Sequence, residues 1–186
     1  GDVYKRQGAI NGLARTTLKL TVPGIPDIYQ GTETWDFSLV DPDNRRPVPF
    51  DRLEQSLALA NQRDLPELLQ GWVDGGIKQF LVHRLLRLRS DRPALFSDAA
   101  YAGCQVEGQN AERILAFRRH LGEQEIVVVV PRLVANLMDG VAQPLVPAER
   151  WQDTLIALDG QARTFRNLFT NEEVSAWPIM VSDALK

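Results

Sequence analysis

Glu33, Asp36, Asp41 and Asp43 fall close together early in the chain, followed at once by Arg45 and Arg46. Carboxyl groups that converge can share acid–base and nucleophilic work: cleaving a glycosidic bond with retention needs two of them about 5–5.5 Å apart. The order Asp43-Asn44-Arg45-Arg46 also supports a simpler reading, a local ion pair or Asx turn that shapes the loop. That local reading outweighs a catalytic pair. A binding role suits the same residues better. Arginine presents a rigid fork of donors, aspartate accepts from hydroxyls, and an aromatic ring can lie against the C–H face of a polyhydroxylic ligand. On this reading Tyr29, Glu33, Trp35, Asp41, Asp43, Arg45 and Arg46 are the candidate binding residues. One arginine orders the loop and the other faces the ligand, in either order. Trp35, Tyr29 and Glu33 each have a structural alternative: a loop anchor, core packing at a strand end, and a hydrogen bond to a neighbouring loop.

The elements around this loop follow from apolar spacing. From Gly8, the residues Ile10, Leu13, Ala14, Thr17 and Leu18 recur at helical period, and Pro23-Gly24 stops the helix. Ile28 and Tyr29 then predict a very short strand closed by Gly31. Asp51 and Glu54 form a capping-box pattern for a second helix to about Gln62. Asp64-Leu65-Pro66-Glu67 opens a short third helix ending near Gly71. Asp74 caps a longer helix with Ile77, Phe80, Leu81, Leu85 and Leu88 on one face and Lys78, Arg84, Arg87 and Arg89 mostly outside, ended by Pro93. Helix, short strand, polar loop and helix make one βα unit of a barrel, with the loop on the C-terminal side of the strand.

These residues also carry a family likeness. The run Pro23 to Glu33, PGIPDIYQGTE, resembles the eighth-strand segment of the α-amylase superfamily of (β/α)8 barrels. The run Trp35 to Val48, WDFSLVDPDNRRPV, is similar to a narrower signature, that of the malto-oligosyltrehalose synthase family. His83 to Arg89 and Arg92 to Leu95 resemble the last barrel helix and its exit into a C-terminal β domain. The resemblance implies intramolecular transglucosylation of a malto-oligosaccharide, with the upstream part of the same barrel as partner. It also implies that the nucleophile, the acid/base and the stabilising carboxylate follow the fourth, fifth and seventh strands, which have no counterpart here. No catalytic residue is therefore expected in this chain, and the chain alone is expected to be inactive. Two rival readings are a hydrolase or 4-α-glucanotransferase of the same superfamily and a non-catalytic carbohydrate-binding module.

After Pro93 the period changes. Short β-type runs fall at Tyr101–Val106, Arg113–Arg119 and Glu125–Pro131, then at Thr154–Leu158, Thr164–Phe169 and Trp177–Val181, with turn residues between them. The β-branched run Ile126 to Val130 predicts a central strand covered on both faces, and residues 132–150 a loop with one helical turn. The expected fold is α+β: the last βα unit and helices of a truncated (β/α)8 barrel over residues 1–95, then a small antiparallel β-sheet or sandwich domain over 96–186. Residues 1–7 do not join the helical pattern and read as a non-native junction or a frayed native terminus.

Composition removes several function classes. A chain of 186 residues with net charge −3 is too short for a whole (β/α)8 barrel, which takes about 250 residues, and has no basic field for nucleic acid. Its longest apolar runs fall well below the ~20 residues of a membrane span, so no membrane role is expected. Cys104 is the only cysteine, which fits a reducing, cytoplasmic setting, and with His83 and His120 far apart there is no metal-ligand spacing. No cofactor is expected: Gly75-Gly76 reads as a helix cap, not a phosphate loop. His83 reads as a packing residue, His120 as solvated in a turn, and Cys104 as buried and inert. Trp72, Trp151 and Trp177 read as core or domain-interface residues rather than sugar platforms.

Overall fold

The computed structural model describes residues 2–39, 41–160, 163–175 and 178–186. Helix α1 runs Asp2–Thr21, so the described residues among 1–7 are helical, against the expectation that they stand apart. Lys5, Arg6 and Gln7 are good helix formers with no apolar pattern, so propensity carries the helix where periodicity is silent. Helices α2 (Phe50–Ala60), α3 (Leu65–Gln70), α4 (Gly76–Asp91) and α5 (Pro93–Ser97) follow.

The start of α3 is as read: Asp64 and Glu67 close a reciprocal capping box. The start of α2 is not. Pro49 precedes the helix without a side-chain cap, and Asp51 lies inside the first turn, where a carboxylate favours the helix dipole. Asp74 stands one residue before the N-cap Gly75, yet its carboxylate accepts from the Gly76 amide at 2.7 Å and from Arg63 at 2.7 Å. No strand forms at Ile28 and Tyr29, because α1 and α4 offer that segment no backbone partner. Ile28 packs instead with Leu20, Leu81, Val82 and Leu85.

The polar side of α4 also departs from expectation. Lys78, Arg84 and Arg89 are half-buried and donate to the carbonyls of Thr34, Leu168 and Leu20, while Arg87 is exposed. Buried Gln79 donates to Leu53. Long polar side chains can thread past an apolar face to reach open carbonyls, which a hydrophobicity pattern does not register.

Among the described residues the strands that follow are β1 Ala100–Gly103, β2 Gln105–Glu107, β3 Ile114–Leu121, β4 Gln124–Pro131, β5 Leu155–Ala157, β6 Thr164–Arg166, β7 Glu173–Ser175 and β8 Ile179–Met180, then the short helix α6 Val181–Ala184. They pair antiparallel as β1-β3-β4, β2-β5-β8 and β6-β7. Strand β4 is an edge strand, not the central one. Its valines are β-branched because both faces are covered: Val128 and Val130 meet α1, and Val127 and Val129 meet the core around Trp151. Residues 132–150 hold one 3-10 turn, Ala135–Met138, and the start of another, Ala148–Trp151, which seat Met138 and Trp151 in that core. The expected strand start at Trp177, and the role of that residue, lie outside the described residues. His120 lies exposed on β3 rather than in a turn.

Helix α1 holds the assembly together. Ile10 joins the β core; Ala14, Leu18 and Val22 pack on Phe117, Val128 and Val130; Leu20 meets Val82 and Leu85; and Leu13 meets Ala60, Leu68 and Ile77. One helix thus touches every apolar cluster, so the helical and β halves share a core.

Candidate functional site

The loop between α1 and α2 is pinned by Trp35. Its indole N–H donates to the Trp72 carbonyl at 2.7 Å, and the Lys78 ammonium lies 5.8 Å from the ring centroid. Its ring edge comes close to α1 at Gly12, where an added Cβ would sit 3.4 Å from Cζ3. The lysine also donates to Thr34 at 2.7 Å. These contacts match the anchor reading of Trp35. Burial, then the neighbouring charge of Lys19, pulls the Lys78 ammonium below the usual lysine range, while Asp36 and Glu33 act the other way.

Beyond Trp35 the polar residues pair locally. Asp36 accepts from the Ser38 amide at 2.9 Å, and that bond holds its carboxyl below the usual range. Arg45 pairs with Asp41, and Arg46 pairs with Asp43, which also accepts from the Leu39 amide at 2.9 Å. Both arginines are exposed. This is the local ion-pair arrangement that the Asp43-to-Arg46 spacing suggested, and it leaves donors of both guanidinium groups facing outward.

Tyr29 and Glu33 lie elsewhere. Together with Lys19, Asp27, Thr32 and Lys78 they line a cavity of about 300 Å3 between α1 and α4. The Oε2 atom of Glu33 is buried without a hydrogen-bond partner. A carboxylate oxygen left this way is an acceptor waiting for a donor. The structure therefore divides the candidate residues into three groups: Tyr29 and Glu33 at the cavity, Trp35 beneath the loop, and Asp41, Asp43, Arg45 and Arg46 on an exposed turn. Lys19, Asp27 and Lys78 are cavity residues that the sequence reading passed over. Asp27 stands inside the PGIPDIYQGTE run, whereas nothing in the pattern of α4 distinguishes Lys78 from its exposed neighbours. Among the described residues, no cluster of three or more His, Cys, Asp or Glu side chains is placed to hold a metal, and no helix is long and apolar enough to cross a membrane.

Comparison with known proteins agrees on sequence and fold. No protein-family model matches the chain. A Mycobacterium tuberculosis protein assigned as a maltooligosyl trehalose synthase is 35% identical over 158 residues, covering 83% of this chain and 18% of its own length. The structure of maltooligosyltrehalose synthase from Arthrobacter ramosus superposes with a TM-score of 0.68 at 34% identity, over 95% of this chain and 21% of that one. A further crystal structure of a maltooligosyl trehalose synthase gives 0.67 at 30% identity, over 91% of this chain and 20% of that one. The class these relatives share is that of the maltooligosyl trehalose synthases. The chain belongs to the maltooligosyl trehalose synthase family, and it spans about a fifth of the length of the relatives it matches.

Proposed function

We propose that this chain forms the C-terminal part of an enzyme that isomerises the reducing end of a malto-oligosaccharide. The α-1,4 bond to the terminal glucose breaks, that glucose turns over in place, and an α,α-1,1 bond to the same glycosyl unit forms. The observation that carries this reading is the match to synthases at 35% identity over 83% of the chain, which takes in a loop of sugar-binding residue types. Water must be kept from the glycosyl intermediate during the turnover, so a long loop beside the site is a physical need.

In this reading, residues 1–95 close a (β/α)8 barrel and residues 96–186 form the appended β domain. Residues 25–29, which lie in neither helix nor strand, gain strand partners from the preceding part of the barrel. The same part covers Ile25, Phe37 and Leu39, whose relative exposures here are 99%, 87% and 82%. Large apolar side chains left this open mark a contact surface. Tyr29, Glu33, Asp41, Asp43, Arg45 and Arg46 contact sugar or order the loop that does, and Trp35 anchors it. The catalytic carboxylates belong to strands outside this chain. The working compartment is the cytoplasm.

Maltopentaose conversion tests the reading. The chain alone yields no non-reducing product, whereas a polypeptide carrying the preceding barrel in front of it does. Product from the chain alone overturns the assignment of the carboxylates, and none from the longer polypeptide overturns the function.

A further inference from the structure

Two arginines from different halves of the chain meet over one phenylalanine, with no carboxylate among their bonded partners in the described residues. Arg119, on β3, is 2% exposed; its guanidinium donates to the Thr21 carbonyl at 3.2 Å and to the Phe96 carbonyl at 2.8 Å. Arg89, in the last turn of α4, donates to the Leu20 carbonyl at 2.8 Å. Their guanidinium carbons lie 5.5 and 4.6 Å from the Phe96 ring centroid. Leu20 and Thr21 end α1, where unpaired carbonyls and the negative end of the helix dipole offset positive charge. Burial, with Arg89 adding its charge, pulls Arg119 below the usual arginine range. Two like charges are thus held together by helix-end carbonyls and an aromatic face.

We propose that Arg119 and Arg89 are positioning residues for the loop from Pro23 to Val48, acting through α1. The helix is the lever: its end is clamped at Leu20 and Thr21, while Trp35 packs on it at Gly12. The β sheet, through Arg119, sets the axial position of α1, and α1 sets where Trp35 and its loop stand. The β half thereby serves the sugar-contact loop through α1. This rests on the loop reading above for its purpose, though not for its geometry.

Lysine in place of either arginine keeps the charge but loses the planar fork. At Arg119 it therefore cannot serve two carbonyls and lie over the ring, and at Arg89 it cannot combine one carbonyl with the same ring face. The test uses 15N–1H spectra of the chain, in which Trp35 is one of four indole N–H signals and is identified by its loss in Trp35→Phe. In Arg119→Lys and Arg89→Lys the Trp35 indole signal moves from its wild-type position. Amides of the β2–β5 pair, which among the described residues hydrogen-bond to neither arginine, stay in place. A Trp35 signal unmoved in both variants overturns the proposal, even if melting temperature falls, because a merely stabilising pair would lower stability without displacing the loop. Should Arg119→Lys fail to fold, Arg89→Lys, at a half-buried site, decides by the same two signals. A wild-type chain unresponsive to maltose counts against the sugar role of the loop alone, since the clamp is read from Trp35 itself.

Discussion

The indole of Trp35 and the carbonyl of Trp72 meet at 2.7 Å across 37 positions of chain. This bond ties a long polar loop to the 3-10 turn Trp72–Asp74 that precedes α4. With Gly12 on one side and the Lys78 ammonium over the ring, the indole is placed to hold the loop.

Truncating this anchor separates the two roles. Trp35→Phe keeps a ring but orphans the Trp72 carbonyl, at a cost of about 1 kcal/mol. Trp35→Ala approaches about 3 kcal/mol, the low end for aromatic truncations, because the ring is half-buried. Urea unfolding of the three proteins checks both values. An alanine variant as stable as wild type would mean that the ring holds nothing and is free for sugar.

Lys78 gives a pH dependence of defined sign. Burial depresses its folded-state pKa below 10.5, so between the folded value and 10.5 the unfolded chain binds more protons than the folded one. Stability therefore rises with pH through that window and levels off above it. Cys104 works in the opposite direction: burial raises its thiol above 9.0, so its contribution falls as the unfolded thiol ionises. Comparing wild type with Lys78→Met cancels the cysteine. The stability difference should shift in favour of wild type as pH climbs from neutral through 10.5. A difference that is flat with pH contradicts a desolvated ammonium.

Much of this was legible in the sequence, and the gaps have physical causes. Strand β4 announces itself through its β-branched run, β3 through a short β-type run set off by turn residues, and α3 through Asp64-Leu65-Pro66-Glu67. Strand β7 does not, since Glu173-Val174-Ser175 buries a single residue. The strand expected at Ile28 and Tyr29 has the right residues but no neighbour, and pairing is a property of two segments. In the site, Asp43 and Arg46 were paired by spacing alone. Lys78 was not found because its partners, Thr34 and Trp35, are distant in sequence and are joined to it only by the fold.

The exposed pairs Arg45–Asp41 and Arg46–Asp43 should matter little for stability. Solvent screens such pairs to about 0–1 kcal/mol, so Arg45→Gln and Arg46→Gln each leave the unfolding midpoint nearly unchanged. If either guanidinium contacts sugar in the complete enzyme, its loss removes a charged hydrogen bond worth about 1.5–3 kcal/mol. KM for maltopentaose would then rise about tenfold or more in that variant only. Equal, unaltered KM values in both variants would assign the pair to loop shape.

Gly108 and Gly122 sharpen the account of the β half, because both have positive φ but different surroundings. At Gly122, φ is +59° and no atom lies within 4 Å of where a Cβ would stand, so alanine meets only the left-handed backbone penalty of about 1–2 kcal/mol. At Gly108, φ is +97°, and a Cβ would fall 2.6 Å from the Asp153 carbonyl oxygen and 2.7 Å from the Thr154 Cα. Those atoms are backbone and cannot swing away. The adjoining amides of Gln109 and Asn110 donate to Asp153 and Thr154 side chains at 2.9 and 3.1 Å, so pushing the segments apart also breaks this seam. Gly108→Ala should therefore exceed the Gly122→Ala loss by about 2 kcal/mol or more, as expected when strain is added to lost hydrogen bonds. Denaturant midpoints of the two variants decide it, and equal losses would mean that the turn after β2 does not lie against Asp153.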